Sequence, residues 1–215
     1  MTAAEAARTR QLLYRFFGAL FLYPDAERLT KLRAAAHGLV QEERVEGFFA
    51  SAQPWQRLLA SLADLDEGEN VSIEGEYLRL FLVKAPVTPY ESIYADPGGM
   101  ERGVIVHGIE QEYRSAGLVI APGRIEPPDH VAVEFEFLSF LCAQEAQARE
   151  EDDEAGSHEA QARHSHFLRK HLGSWFPELA GRAKGAEPKP PFDELLDATW
   201  AFLSHEISSL HGAAD

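Results

Sequence analysis

The chain has 215 residues, 45% of them hydrophobic, with a formal net charge of −15 and a single cysteine. That length and apolar content support a buried core and exclude wholesale disorder. The acidity excludes broad contact with a nucleic-acid backbone or an anionic membrane, and one thiol excludes an internal disulfide.

Cys142 stands in an apolar run and reads as a small buried hydrophobe rather than a nucleophile. No export signal is legible: Leu12 to Tyr23 is apolar but carries Arg15, and no small-residue cleavage site follows. No run approaches the roughly 18 apolar residues of a membrane span. The expectation is a cytoplasmic protein with no stable membrane insertion. Its negative charge favours neutral or basic partners, and equally serves solubility.

In chain order, Leu13, Phe16, Phe17, Leu20 and Phe21 form a helical stripe that Pro24 and Asp25 end. Leu29, Leu32 and Ala36 predict a second helix up to Gly38, and Phe48 and Phe49 close a short third piece. Pro54 suits the first turn of a helix carrying Trp55, Leu58, Leu59 and Leu62. Asn70 or Ser72 is placed to cap the next helix, with Ile73, Tyr77, Leu80 and Phe81 on one face. Pro86, Pro89, Pro97, Gly98 and Gly99 forbid a continuous helix over 85–99, yet that loop holds Tyr90, Glu91, Ser92, Ile93 and Tyr94. Such a loop packs on a core or serves a ligand.

Val106, Ile109 and Tyr113 predict a further helix that Gly117 can terminate; Val104 to Val106 alone hints at period two. From Pro127-Pro128 to about Ala148 the chain is apolar on most sides, as a central helix is. Glu150 to Glu154 reads as a solvated turn. Phe167 to Leu179 resumes helical spacing with a break near Gly173 and Pro177, and 181–191 reads as a flexible connector. Phe192 to Leu210 forms a last helix. The sum is one all-α domain over 1–215, a bundle of about ten helices. The connector permits a swapped homodimer as well as a monomer.

Among titratable groups, His164 and His166 are two apart and point about 200° away from each other on a helix. With His158 and His171 they read as surface histidines, and no metal is expected. His130 and Glu134 stand at i and i+4, so they share a face of the central helix. Asp129 stands at that helix's start, where the dipole favours a carboxylate. This cluster suits a peptide backbone, a guanidinium, a nucleotide, acid–base work or plain capping. No nucleophile elbow, metalloprotease helix, phosphate loop or dinucleotide fingerprint accompanies it, so no catalytic residue and no cofactor are expected.

Three segments resemble the TorD/DmsD/NarJ family of molybdoenzyme maturation chaperones. They are Glu76-Tyr77-Leu78-Arg79-Leu80-Phe81 followed by Pro89-Tyr90-Glu91-Ser92-Ile93-Tyr94; Glu126-Pro127-Pro128-Asp129-His130 followed by Glu134-Phe135-Glu136-Phe137-Leu138; and Phe167-Leu168-Arg169-Lys170-His171-Leu172 followed by Trp175, Phe192 and Thr199. The resemblance implies an all-helical cytoplasmic chaperone of the TorD/DmsD type, not an enzyme. Its partner is then the precursor of a molybdenum-cofactor oxidoreductase catalytic subunit, held by its twin-arginine signal peptide or as apoprotein, with cofactor-biosynthesis proteins as further partners. It carries peptide-binding roles onto Tyr77, Leu80, Phe81, Pro89, Tyr90, Asp129 and His130. A twin-arginine peptide needs carboxylates beside an aromatic groove. Glu91, Glu126, Asp129 and Glu134 suit the first; Tyr77, Leu80, Phe81, Tyr90 and Tyr94 suit the second, with Ser92 in the same loop. Core packing is an equal reading of Leu80 and Phe81. Two other functions stay open: a small hydrolase using His130 with Asp129 or Glu134, and a general helical adaptor.

Overall fold

The computed structural model describes residues 1–83, 85–121, 123 and 125–212. Ten α-helices and no strand occur among them, so the all-α expectation holds. The helices are α1 (Ala3–Leu20), α2 (Ala26–Leu39), α3 (Ala52–Ala63), α4 (Asn70–Tyr77), α5 (Glu91–Ala95), α6 (Arg102–Ser115), α7 (Val131–Glu150), α8 (Glu154–Lys170), α9 (Leu172–Gly185) and α10 (Phe192–Gly212). They form two compact units, each of two separate stretches: Met1–Gly18 with Pro89–Trp175, and Ala19–Thr88 with Phe176–Asp215.

In the first unit, α7 is buried on nearly every side, from Val131 through Phe135, Phe137, Leu138 and Leu141 to Ala148. Over 131–142 only Glu136 is exposed, as a central helix requires, and the polar positions Gln144, Gln147 and Glu150 turn to water further on. α1 lies against it at Gly18, where a Cβ would meet Phe135 Cβ at 3.1 Å and Ala132 O at 3.3 Å. A side chain there would push its neighbours on α7 away by a few tenths of an ångström. Tyr113, Phe137 and Phe167 join α6, α7 and α8, with ring centroids 4.7 Å apart for Tyr113–Phe137 and for Phe137–Phe167. α6 ends as its sequence indicates: Gly117 takes φ 84° and Leu118 N–H bonds back to Tyr113 O at 3.0 Å. Val104 to Val106 lies inside α6.

In the second unit, Tyr77, Phe81, Phe21, Phe176 and Phe192 form an aromatic core. Tyr77 O–H donates to Phe21 O at 3.1 Å. Phe49 stacks on Trp55 at 4.8 Å and meets Phe202 at 5.7 Å, tying α3 to α10. α4 runs on through a wide turn over Leu78–Leu82, closed by Val83 N–H to Leu78 O at 2.7 Å.

Three local expectations change. Neither Asn70 nor Ser72 caps α4: Glu69 precedes it in helical conformation, continuing the 3₁₀ turn Glu67–Glu69. The break after α8 falls at His171, and Pro177 lies within α9. The connector is shorter than 181–191, because α9 extends to Gly185 with Arg182 and Lys184 favouring its C-terminal end. What remains is pinned: Arg79 donates to Ala186 O at 3.1 Å, and Glu76 Oε1 accepts from Lys189 N–H at 3.0 Å.

Candidate peptide-binding site

The first unit places the Tyr90 loop directly on the start of α7. Glu91 N–H donates to Asp129 O, and Val131 N–H to Pro89 O, both at 2.9 Å. These two bonds make an isolated antiparallel bridge between Tyr90 and His130. Pro127 and Pro128 stiffen the approach to α7, and Tyr113 O–H holds Pro128 O at 2.8 Å. The result is a clasp of two short segments.

Asp129 closes the clasp. Its Oδ2 accepts from Ser92 O–H at 2.6 Å and from Ser92 N–H at 3.3 Å. It thereby caps α5, although 37 residues separate the two in sequence. His130 caps α7, its Nδ1 accepting from Ala132 N–H at 3.1 Å. That bond puts the ring proton on Nε2, which faces Glu126 Oε2 at 3.6 Å. The Tyr90 ring sits edge-on to His130, centroids 5.2 Å apart. Burial, then the charges of Glu126 and Asp129, push the Tyr90 phenol upward, so it stays neutral.

Beneath the clasp lies a second polar layer. Glu134 is fully buried; its Oε2 accepts from Trp175 Nε1–H at 3.0 Å. Burial first, then the negative charge of Glu91, raise its carboxyl well above the ordinary range, and it shares a hydrogen bond with Glu91. Burial thus favours the neutral form of the Glu134 carboxyl. Glu91 in turn faces His171 Nδ1, with both oxygens at 3.0 Å. The other ring nitrogen of His171 lies 3.2 Å from Glu112 Oε1, so the ring bridges the two carboxyl groups. Burial pushes Glu112 up, but Lys170 at 2.5 Å and His171 outweigh it and hold it down. Tyr94 stacks on Trp175 at 5.2 Å.

The clasp thus unites Pro89, Tyr90, Glu91, Ser92, Tyr94, Glu126, Asp129, His130 and Glu134. Pro89, Glu91, Ser92, Tyr94, Asp129, His130 and Glu134 are buried, whereas Tyr90 and Glu126 are half-buried and reachable. Tyr77, Leu80 and Phe81 belong to the second unit and are packed in its core. Of the two readings open for Leu80 and Phe81, that burial is the one core packing requires. Glu134 does not pair with His130 along the helix face, because Trp175 and Glu91 claim it.

His171, Glu112 and Trp175 extend the network beyond the residues expected from sequence. The histidines required a further correction: His164 and His171 are buried, not surface groups. The signal was present in the buried α8 stripe Ser157, Ala160, His164, Phe167, Leu168, His171, spaced by threes and fours. His164 Nε2 meets Tyr14 Oη at 3.0 Å, and burial followed by the charge of Arg10 lowers its pKa to about 3. Among the described residues no group of three or more His, Cys, Asp or Glu is placed to hold a metal, and no helix is long and apolar enough to cross a membrane.

Residues 49–181, well over half the chain, match the family model of the nitrate reductase delta subunit. The chlorate reductase assembly chaperone protein of Ideonella dechloratans is 33% identical over 159 residues, 69% of this chain and 79% of the relative. The selenate reductase assembly chaperone protein of Thauera selenatis is 30% identical over 147 residues, covering 65% and 74%. Chaperone protein TorD of Vibrio parahaemolyticus is 25% identical over 185 residues, covering 81% and 82%. These relatives define a class, assembly chaperones rather than enzymes. The chain belongs to the nitrate reductase delta subunit family, the TorD/DmsD/NarJ-type chaperones that its motifs resemble.

Proposed function

We propose that this chain is a system-specific chaperone that binds the precursor of a molybdenum-cofactor oxidoreductase in the cytoplasm, through its twin-arginine signal peptide or its apoprotein, until the cofactor is inserted. Kinship with the chlorate and selenate reductase assembly chaperones carries the reading. The clasp supplies a place for the peptide. Its reachable groups are one carboxylate, Glu126, and one aromatic ring, Tyr90, and the adjoining Ile125 is 91% exposed. A carboxylate, a ring face and an exposed aliphatic side chain suit a guanidinium followed by an apolar stretch; ring and guanidinium add about 0.5–2 kcal/mol. Asp129, His130, Ser92, Glu91 and Glu134 act from beneath, by fixing the backbone that carries Tyr90 and Glu126. The net charge of −15 favours encounter with a basic peptide.

The test is isothermal titration with a panel of twin-arginine signal peptides from molybdenum reductase precursors, each beside its twin-lysine counterpart. One peptide should bind, and the E126Q/Y90A variant should weaken it at least tenfold, about 1.4 kcal/mol. Equal affinity in the double variant would move the site elsewhere. Failure of every signal peptide and every apoprotein in the panel would remove the client class.

A further inference from the structure

Tyr90 stands directly before α5, a helix of only 5 residues. So short a helix does not hold itself, and ties from neighbouring elements fix it. From α7, Asp129 caps it through Ser92. From the opposite side comes His171, at the break between α8 and α9. The backbone of His171 is anchored in both directions: its N–H donates to Phe167 O at 2.9 Å, and its carbonyl accepts from Ser174 N–H and O–H, both at 2.7 Å. Its buried ring packs on Phe167, centroids 4.5 Å apart. From that fixed point Nδ1 lies 3.0 Å from each Glu91 oxygen, and Nε2 lies 3.2 Å from Glu112 on α6. Glu91 also shares a hydrogen bond with Glu134, so two carboxyls meet away from water. A base beside them offsets the cost of that burial; without it the cheaper course for Glu91 is to swing out to solvent. Glu91 follows Tyr90 directly, and its N–H makes one of the two bonds that join the loop to α7.

We propose that His171 is a positioning residue of the clasp, resting on the peptide-binding role proposed for it: His171 touches no peptide, but by gripping Glu91 it holds Tyr90 ready to receive one. A positioning residue acts on the free protein. Once a peptide is bound, its own contacts with Tyr90 and Glu126 keep the loop in place. Loss of the grip therefore lowers the share of binding-ready molecules, which slows association and leaves dissociation nearly unchanged. Loss of a contact residue acts chiefly on dissociation.

Two near-isosteric substitutions in the full chain separate this grip from plain core packing. Asparagine sets its amide nitrogen where Nδ1 stands and still donates to Glu91; glutamine sets its own where Nε2 stands and reaches Glu112 instead. Stopped-flow binding of the twin-arginine signal peptide that the wild type retains should show association about tenfold slower in H171Q, with dissociation within about twofold of the wild type. H171N should stay close to the wild type in both rates. E91A cuts the same tie from the other side and should behave like H171Q. With no peptide present, amide hydrogen exchange at Glu91 should rise about tenfold in H171Q and E91A but not in H171N, while Phe135 to Leu141 of α7 keep their protection. H171N as slow as H171Q would reduce His171 to packing. Faster dissociation at unchanged association would make it a contact residue, and unchanged exchange at Glu91 would remove the grip; each of the three overturns the proposal. If no peptide binds the wild type, the function proposed above fails and the positioning role with it, while exchange at Glu91 still shows whether His171 holds the loop.

Discussion

Replacing Glu134 by glutamine isolates the buried acid beneath the clasp. The native state keeps a proton on Glu134, while the unfolded chain releases it above the ordinary value of 4.5. The native state then binds more protons than the unfolded state, so this group's contribution to stability falls as pH rises from 4.5 until the buried carboxyl itself ionises. Each unit is 1.36 kcal/mol. From 4.5 to pH 7 the accumulated cost is at most about 3 kcal/mol. Glutamine is uncharged at every pH; its carbonyl still accepts from Trp175 and its amide still donates to Glu91. E134Q is therefore expected to match the wild type near pH 4.5 and to exceed it by about 1–3 kcal/mol at pH 7. Urea titrations at half-unit steps from pH 4.5 to 8, followed by both tryptophan emission and circular dichroism, measure the difference where the two transitions coincide. A wild-type minus E134Q difference that is constant across that range would refute the neutral-acid assignment.

Two further outcomes follow from the same unit. His164 is held neutral, so below pH 6.5 the unfolded chain takes up a proton that the native chain refuses until about pH 3. Stability should fall with acid by about 3 kcal/mol at pH 4, and H164Q should lower the acid-unfolding midpoint while losing about 1 kcal/mol at pH 7.5 with the Tyr14 bond. A midpoint unmoved in H164Q would show that His164 does not govern the acid limb. A double-mutant cycle over S92A and D129N should give a coupling of about 1.5–3 kcal/mol, as for a hydrogen bond to a charged group. Coupling under about 0.5 kcal/mol would mean that the clasp is held by its backbone bridge alone.

The helical pattern was legible because α7 and α10 carry their burial in local spacing, and because the prolines before Tyr90 and Val131 allow few conformations. The proximity of the Tyr90 loop to Asp129 was legible only through family resemblance. Local spacing misled at His164 and His171, since Arg163, Arg169 and Lys170 on the outer side of α8 masked the buried stripe. It also misled at Glu134, whose partners Glu91 and Trp175 lie 43 and 41 residues away. A side chain's neighbours in sequence announce the face it shares, whereas its partners across the core are set by packing.

The two interleaved stretches of each unit have a consequence for synthesis. The first unit needs Met1–Gly18 together with a segment ending at Trp175. Emerging from the ribosome, α1 must wait through the whole of 19–130 before α7 begins to form and cover it, and the second unit cannot close until α10 follows. No early fragment contains a complete core, so the nascent chain exposes Phe16, Phe17 and Phe21 for most of its translation. This member of a chaperone family is thus itself a late folder, and halves of it expressed separately are expected to aggregate rather than to yield either unit.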